Sequence, residues 1–291
     1  MDDTALKPLL TIAIPTYNRA AKLKRLLCMI QKEITAYQLE GRVVVMVSDN
    51  ASKDETPFVV PEFADSFRSF IYHRQAENIG FDGNCRFLYM RADTPFIWFM
   101  ADDDMPLEGA LSRIVDAVGT LGPDVLLFSF IQPPGSRIRQ FDYPEPVRSI
   151  EDPVEAIAHV LRYPKVSIFV LRKVDFSDAE RQELDKNLGG GWYYLSLAFS
   201  VLESSHHPRL AAISEPLAAC DEDYTTIAWV PTPFLNLDKP VKHPFVVKHR
   251  PEIVKRFPDL LRFFEEDGYC NAIQCSFAAK SGSLTPEYVE D

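Results

Sequence analysis

Apolar positions over the first 130 residues fall into two alternating kinds of segment. Residues 9–14 (LLTIAI) form a short apolar run with β-branched members, which predicts a strand that Pro15 ends. Residues 20–37 place Leu23, Leu26, Leu27, Ile30 and Ile34 at helical spacing, which predicts an amphipathic helix. Residues 43–47 (VVVMV) are apolar at every position, the pattern of a parallel strand covered on both faces. Shorter runs at 70–72, 96–100 (FIWFM) and 125–130 predict three more strands. Helices are predicted at 82–91, with Asp82 as an acidic N-cap, and at 107–121. Strands separated by helices imply right-handed crossovers and an α/β fold with a mainly parallel sheet. Ligands of such sheets bind beyond the carboxyl ends of the strands. Four loops therefore matter: 15–19, 48–54, 74–80 and 101–104.

The second half is less regular. Residues 132–146 are proline-rich and read as a loop. A helix is expected at 153–162, a strand at 166–171 and a helix at 192–202, the last preceded by Gly189, Gly190 and Gly191. Past residue 229, prolines, aromatics and basic residues mix.

Composition narrows the classes. With 46% apolar residues among 291, a sizeable core is possible. A formal net charge of −11 argues against a nucleic-acid partner, which needs a basic face. Five cysteines, an odd number with no CxxC pair, point to reduced thiols rather than a disulfide framework. The acidic start, Met1 to Thr4, lacks the layout of a signal peptide, and no apolar run reaches the roughly 20 residues of a membrane helix. The expectation is a soluble cytoplasmic protein, with peripheral contact at the inner face of the membrane left open.

Chemistry concentrates at the four loops. Asp102, Asp103 and Asp104 follow the FIWFM strand, and three adjacent carboxylates near a buried strand end repel each other unless a cation neutralises them. Mg²⁺ or Mn²⁺ suits such oxygen donors and bridges to a diphosphate. The plainer alternative is a solvated loop that caps the next helix. Pro15, Thr16, Tyr17, Asn18 and Arg19 offer a hydroxyl, an aromatic face and a cation, or else an ordinary turn. Asp49, in Ser48-Asp49-Asn50, can accept from a base N–H or cap a turn. Asn78 and Gly80 suit a tight turn close to a ligand.

In this order and spacing, TIAIPTYNRAAKL, VVVMVSDNASKDET, RQAENIGFDGN and FIWFMADDDMPLEGAL resemble the family 2 glycosyltransferases of the GT-A fold. The resemblance covers about residues 8–130, and its nearest sub-pattern is that of abequosyltransferase-like enzymes of bacterial surface polysaccharide. It implies one GT-A domain with a nucleotide-sugar half at 1–130, an acceptor-side half at 131–228 and a C-terminal helical extension at 229–291. It also implies a nucleoside pocket lined by Pro15, Thr16 and Tyr17, with Asp49 on the base and Arg19 and Asn78 near ribose or diphosphate. The acidic triplet takes the place of the family's DxD motif. Ala101 stands where the family has its first aspartate, so Asp102 is expected at the ribose and Asp103 and Asp104 at the metal.

A second departure concerns the general base. The family places a Glu-Asp pair where this chain reads Gly190-Gly191-Trp192-Tyr193, with no carboxylate. The displaced candidates are Asp185, Asp221, Glu222 and Asp223, with Asp185 first because it precedes the glycine run. His243 or His249 is a candidate third metal contact, against the plainer reading of a packing histidine. Trp192, Tyr193 and Tyr194 either stack on a sugar or pack in the core, and the core is the plainer reading. The basic, apolar segment 239–264 either caps the domain or lies against an anionic membrane carrying a lipid-linked acceptor. The expected activity is metal-dependent, inverting transfer of a sugar from a nucleotide-diphosphate donor to a saccharide or lipid-linked saccharide. The rivals are a non-catalytic nucleotide-sugar-binding protein and a sugar nucleotidyltransferase. The latter is disfavoured because PTYNRAAKL lacks the glycines that cradle a triphosphate.

Overall fold

The computed structural model describes residues 7–132, 134–135, 141, 143–220 and 238–265. The displaced-base candidates Asp221, Glu222 and Asp223 lie outside the described residues, as does most of the proline-rich loop. The first half alternates as its hydrophobic pattern dictates: β1 (Leu10–Thr16), α1 (Ala20–Ala36), β2 (Val43–Asp49), α2 (Thr56–Val59), β3 (Phe70–Arg74), α3 (Gly80–Arg91) and β4 (Phe96–Phe99). These four strands are parallel in the order β3-β2-β1-β4. The chain continues through β5 (Met105–Pro106), α4 (Ala110–Leu121), β6 (Val125–Ile131), β7 (Val147–Ile150), α5 (Pro153–Arg162), β8 (Phe169–Arg172), α6 (Asp178–Asp185), α7 (Tyr193–Glu203) and β9 (Leu210–Ala219). Three helices follow, α8 (Asp238–Val241), α9 (Pro244–Arg256) and α10 (Pro258–Glu265).

All nine strands belong to one sheet. β8 runs antiparallel to both β4 and β6, β9 runs parallel to β6, and β5 and β7 run antiparallel to β9. The carboxyl ends of β1, β2, β3, β4, β6 and β9 thus share one edge. The strand expected at 166–171 arrives as a 3₁₀ turn and then β8, inserted against the direction of its neighbours. β9 escapes the periodicity because Glu215 and Pro216 interrupt its apolar run. Its register with β6 slips there, from Phe128↔Ile213 to Ser129↔Pro216, as a residue with no N–H requires.

Pro15 does not end β1. The strand pairs with β2 through Thr16↔Asp49. Odd-numbered residues of β1 face β4: the Phe96 N–H donates to the Leu9 carbonyl and the Met100 N–H to the Ala13 carbonyl. β4 ends at Phe99, so the missing N–H of Pro15 points where the ladder has already stopped.

Three helices take caps from remote side chains. The α1 start is held by Thr56 and Asp54, whose side chains accept from the N–H groups of Arg19 and Ala20. Glu33 of α1 is buried and accepts from the N–H groups of Gly109 and Leu111, which fixes the start of α4. Asp82 does not cap its own helix; α3 starts two residues earlier, with Ile79 at the N-cap. Its carboxylate instead accepts from the N–H groups of Gly191 at 2.7 Å and Tyr193 at 3.1 Å, at the start of α7. Each cap meets donors that a helix leaves open and favours negative charge at the positive end of the helix dipole.

Candidate functional site

Where β1 and β4 end, two loops meet. Thr16, the last residue of β1, donates its hydroxyl to Asp102 Oδ2 at 2.7 Å. Arg19 Nη1 donates to Asp102 Oδ1 at 2.8 Å and to Asp103 Oδ2 at 2.6 Å. Lys22 Nζ lies 3.9 Å from the same Asp103 oxygen, and Arg25 donates to the Asp103 carbonyl at 3.2 Å. Arg19, Lys22 and Arg25 recur every three residues on α1 and present a basic row to the acidic loop. That row was legible in RAAKLKR as a helical spacing of cations, but the sequence reading used only Arg19.

The triplet is not a single cluster. Asp102 is buried, and burial pushes its pKa up to about 6 even though Arg19 pulls the other way. Asp103 is the most exposed of the three, with its side chain 20% accessible. Asp104 turns back: its Oδ2 accepts from Ser167 Oγ at 2.5 Å, and Ser167 Oγ in turn accepts from the Ala101 N–H. Ser167 precedes β8 and was not anticipated. It donates to one Asp104 oxygen, while Asp102 and Asp103 share the Arg19 guanidinium. The repulsion expected among three carboxylates is relieved within the chain, by Arg19 on two of them and Ser167 on the third. Burial lowers the pKa of Arg19, but Asp102 and Asp103 outweigh it and the net direction is upward.

The neighbouring loops are laced to this one. Asn18, at φ 54°, takes the left-handed conformation that asparagine tolerates. Its N–H donates to Ser52 Oγ at 2.8 Å and its Oδ1 accepts from the Lys53 N–H at 2.7 Å. Tyr17 is half-buried beside it. Asp49 is fully buried, with Oδ1 accepting from the Ser52 N–H and Oδ2 from the Tyr72 hydroxyl, while Arg74 lies 3.5 Å away. Burial and the Asp49 charge push the Tyr72 hydroxyl up to about 12. Asn78 Oδ1 accepts from Asn50 Nδ2 and from the Gly80 N–H, and Asn50 Oδ1 accepts from the Ile79 N–H, which latches the 78–80 turn to the end of β2. Gly80 takes φ 76°, a conformation that favours glycine.

Asp185 is the last residue of α6. Its two oxygens accept from Arg86 Nε at 2.6 Å and Nη2 at 2.9 Å, a bidentate pair between α6 and α3. Arg86 also borders a cleft with Lys173, whose N–H donates to the Pro95 carbonyl just before β4, at the opposite edge of the sheet from Asp102. Among the described residues, no hydrogen bond or ion pair joins Asp185 to the rim. Asp82 is brought to the backbone of the Gly190–Tyr193 segment, and burial raises its pKa against the lowering effect of the Tyr193, Gly191 and Gly190 N–H groups. Asp185 also faces this segment: after burial, its charge is the next cause that pushes the Tyr193 hydroxyl up. Trp192, Tyr193 and Tyr194 are buried, as core packing predicts.

His243 is not at the rim. It is buried, its Nδ1 accepts from the Phe245 N–H at the start of α9, and its other nitrogen pairs with Ser200 of α7. Burial holds its pKa down to about 4. His249 meets the Phe245 ring edge-on, one turn along the same helix, α9. Among the described residues, no group of three or more His, Cys, Asp or Glu side chains gathers into a preformed metal cluster. No helix among them is long and apolar enough to cross a membrane.

Comparison with known proteins gives this geometry a family. The chain is 30% identical over 105 residues to abequosyltransferase RfbV of Salmonella typhimurium, a match covering 36% of this chain and 31% of that protein. It is 33% identical over 109 residues to the GalNAc(5)-diNAcBac-PP-undecaprenol beta-1,3-glucosyltransferase of Campylobacter jejuni, covering 37% and 34%. The matches thus span about a third of the length of these relatives. Among solved structures, residues 1–349 of S. aureus TarS in complex with UDP-GlcNAc superpose with a TM-score of 0.67 at 15% identity, over 91% of this chain and 75% of that one. At that identity the likeness establishes the fold, which is of the GT-A type. The family model for glycosyl transferase family 2 matches residues 11–171, from β1 through β8, and the chain belongs to that family.

Proposed function

We propose that the protein transfers a sugar from a nucleotide-diphosphate sugar to the hydroxyl of a saccharide or lipid-linked saccharide, with inversion and with the help of a divalent cation. One observation carries the reading: Thr16, Arg19, Asp102 and Asp103 meet at the carboxyl edge where β1 and β4 end. Pro15, Thr16 and Tyr17 are then the wall of the nucleoside pocket, and Asp102 the ribose-side carboxylate. Arg19, Lys22 and Arg25 are the row that receives the diphosphate. Asp49 and Asn78 support this pocket by shaping its loops, since their side-chain oxygens already accept from neighbouring loop groups.

The donor set fits Mg²⁺ or Mn²⁺. Asp102 Oδ1 and Asp103 Oδ2 already share the cationic Arg19 Nη1, and these two oxygen donors, of the kind such ions prefer, would hold the ion. Bound there, the ion supplies Lewis-acid stabilisation of the charge that develops on the leaving diphosphate. The chain's own groups do the rest. The basic row of α1 holds the diphosphate by charge-assisted hydrogen bonds. The burial of Asp102 strengthens those interactions.

The acceptor hydroxyl needs a group to take its proton. Asp185 is bound as the counter-ion of Arg86, which leaves it ill-suited. We assign the role to Asp82, which stands spatially at the segment where the family carries its carboxylate pair, although it comes from α3. Burial raises its pKa, the direction that suits a proton acceptor working near neutrality. A lipid-linked acceptor is supported by the basic α9, whose Val247 and Val254 are exposed seven positions apart on one helical face.

The test is a thermal-shift screen of UDP-, GDP-, CDP- and dTDP-sugars with and without Mn²⁺, followed by donor turnover with the nucleotide that shifts. A cation-dependent shift with turnover is expected. A shift without donor hydrolysis or transfer makes the protein a nucleotide-sugar binder, and no shift with any donor removes the reading.

A further inference from the structure

We propose that Arg19 is an exchangeable counter-ion, occupying between Asp102 and Asp103 the position that the divalent cation takes once a diphosphate draws the guanidinium away. The proposal rests on the assignment of those two carboxylates as cation ligands and adds a competition within the chain. Asp102 and Asp103 are adjacent and one of them is buried, so their joint ionisation needs a cation in contact. Thr16 fixes Asp102 Oδ2, which leaves Oδ1 for that cation. Arg19 Nη1 lies 2.8 Å from this oxygen and 2.6 Å from Asp103 Oδ2. A dication needs the same oxygens at about 2.0–2.2 Å. The nitrogen and the metal cannot share that point.

Charge reinforces the steric argument. Arg19 and Lys22 already balance Asp102 and Asp103, so a bare dication brings uncompensated positive charge to the site. A diphosphate restores the balance and offers Arg19 a bidentate partner. The backbone need not move: the Arg19 N–H is tied to Thr56 Oγ1 at 3.2 Å, and the side chain alone carries the exchange. By linkage, whatever removes the guanidinium raises the affinity for the cation, and the cation raises the affinity for whatever holds the guanidinium.

Mn²⁺ alone tests this, titrated into the whole chain and followed by the electron paramagnetic resonance signal of free aqueous Mn²⁺. Arg19→Met is expected to bind Mn²⁺ about tenfold more tightly than wild type. The added change Asp103→Asn is expected to abolish the gain. Mn²⁺ is also expected to raise the melting temperature of Arg19→Met more than that of wild type. If Arg19→Met does not fold, Arg19→Lys serves. It keeps the charge but lacks the planar guanidinium, and about threefold tighter binding is expected. Equal Mn²⁺ affinity in wild type and variant overturns the exchange and leaves the cation assignment standing. Mn²⁺ binding to neither protein overturns both.

Discussion

Arg19 and Asp102, 83 positions apart in sequence, form a 2.8 Å ion pair at the edge of the sheet. The pair joins the loop after β1 to the loop after β4, and Thr16 secures the other oxygen of the same carboxylate. Burial makes the ionised form of Asp102 costly, as its upward shift to about 6 records. Asp102→Asn keeps the shape and removes that cost. The variant is therefore expected to hold the stability of the free protein at pH 8 within about 1 kcal/mol, because the lost ion pair and the relieved desolvation oppose each other. Mn²⁺-dependent donor binding is expected to fall by about tenfold or more, since a carboxylate donor is gone. Urea denaturation and donor titration measure the two effects separately. Unchanged Mn²⁺-dependent binding in Asp102→Asn would remove this residue from the site.

Asp82 and Asp185 give opposite predictions. In Asp82→Asn only one side-chain oxygen remains for two backbone donors, so a loss of about 1–2 kcal/mol in stability is expected. Turnover is expected to fall by about 100-fold with little change in the KM for donor, and the acidic limb of the kcat profile is expected to disappear. Asp185→Asn retains a hydrogen bond to Arg86. The pair is about one-third exposed, so its loss is worth about 0.5 kcal/mol, and turnover is expected to stay within about twofold. Steady-state kinetics across pH for the two variants decide between them; a larger loss in Asp185→Asn returns the base to that residue.

His243 makes stability depend on pH. Its folded pKa is held down to about 4, against 6.5 for the free group, by burial. Between those values the unfolded chain binds the proton first, so this contribution is complete above pH 6.5 and is lost as pH falls toward 4. His243→Asn keeps an oxygen for the Phe245 N–H and carries no titrating group. Its stability is expected to fall less steeply than that of wild type between pH 6.5 and 4, read by urea midpoints at each pH. His159 shifts in the same direction and stays in both proteins, so the difference between them isolates His243.

Glu33 offers a structural control. It is buried and accepts from two N–H groups at the start of α4. Glu33→Ala leaves both donors without that partner and is expected to cost about 2 kcal/mol, measured by urea denaturation. Donor KM and kcat are expected to remain near wild type at a temperature where the variant is folded. A loss of activity as large as that of Asp102→Asn would mean that α4 helps to place the rim.

The periodicity carried the first half of the fold. LLTIAI, VVVMV and FIWFM became β1, β2 and β4, and the helical spacing from Leu23 to Ile34 became α1. Local pattern suffices there because a parallel strand is apolar on both faces and a surface helix on one stripe. It failed at β9, where Glu215 and Pro216 sit within the strand at a bulge. It also failed at β7 (VRSI), a short strand of mixed polarity against β9. In the candidate site, the rim loops were legible because polar residues at the carboxyl ends of consecutive apolar strands must come together.

The chain's own order of residues determined which segments reach that rim and that Thr16, Arg19 and the aspartate triplet would meet there. Only the tertiary structure decided how the charges are shared: Arg19 between Asp102 and Asp103, Ser167 donating to Asp104, and Arg86 claiming Asp185. It alone brought Asp82 to the start of α7. The physical reason is that strand and helix propensities act over a few neighbouring residues, whereas a buried charge takes whatever partner folding brings within hydrogen-bond reach, from any distance along the sequence.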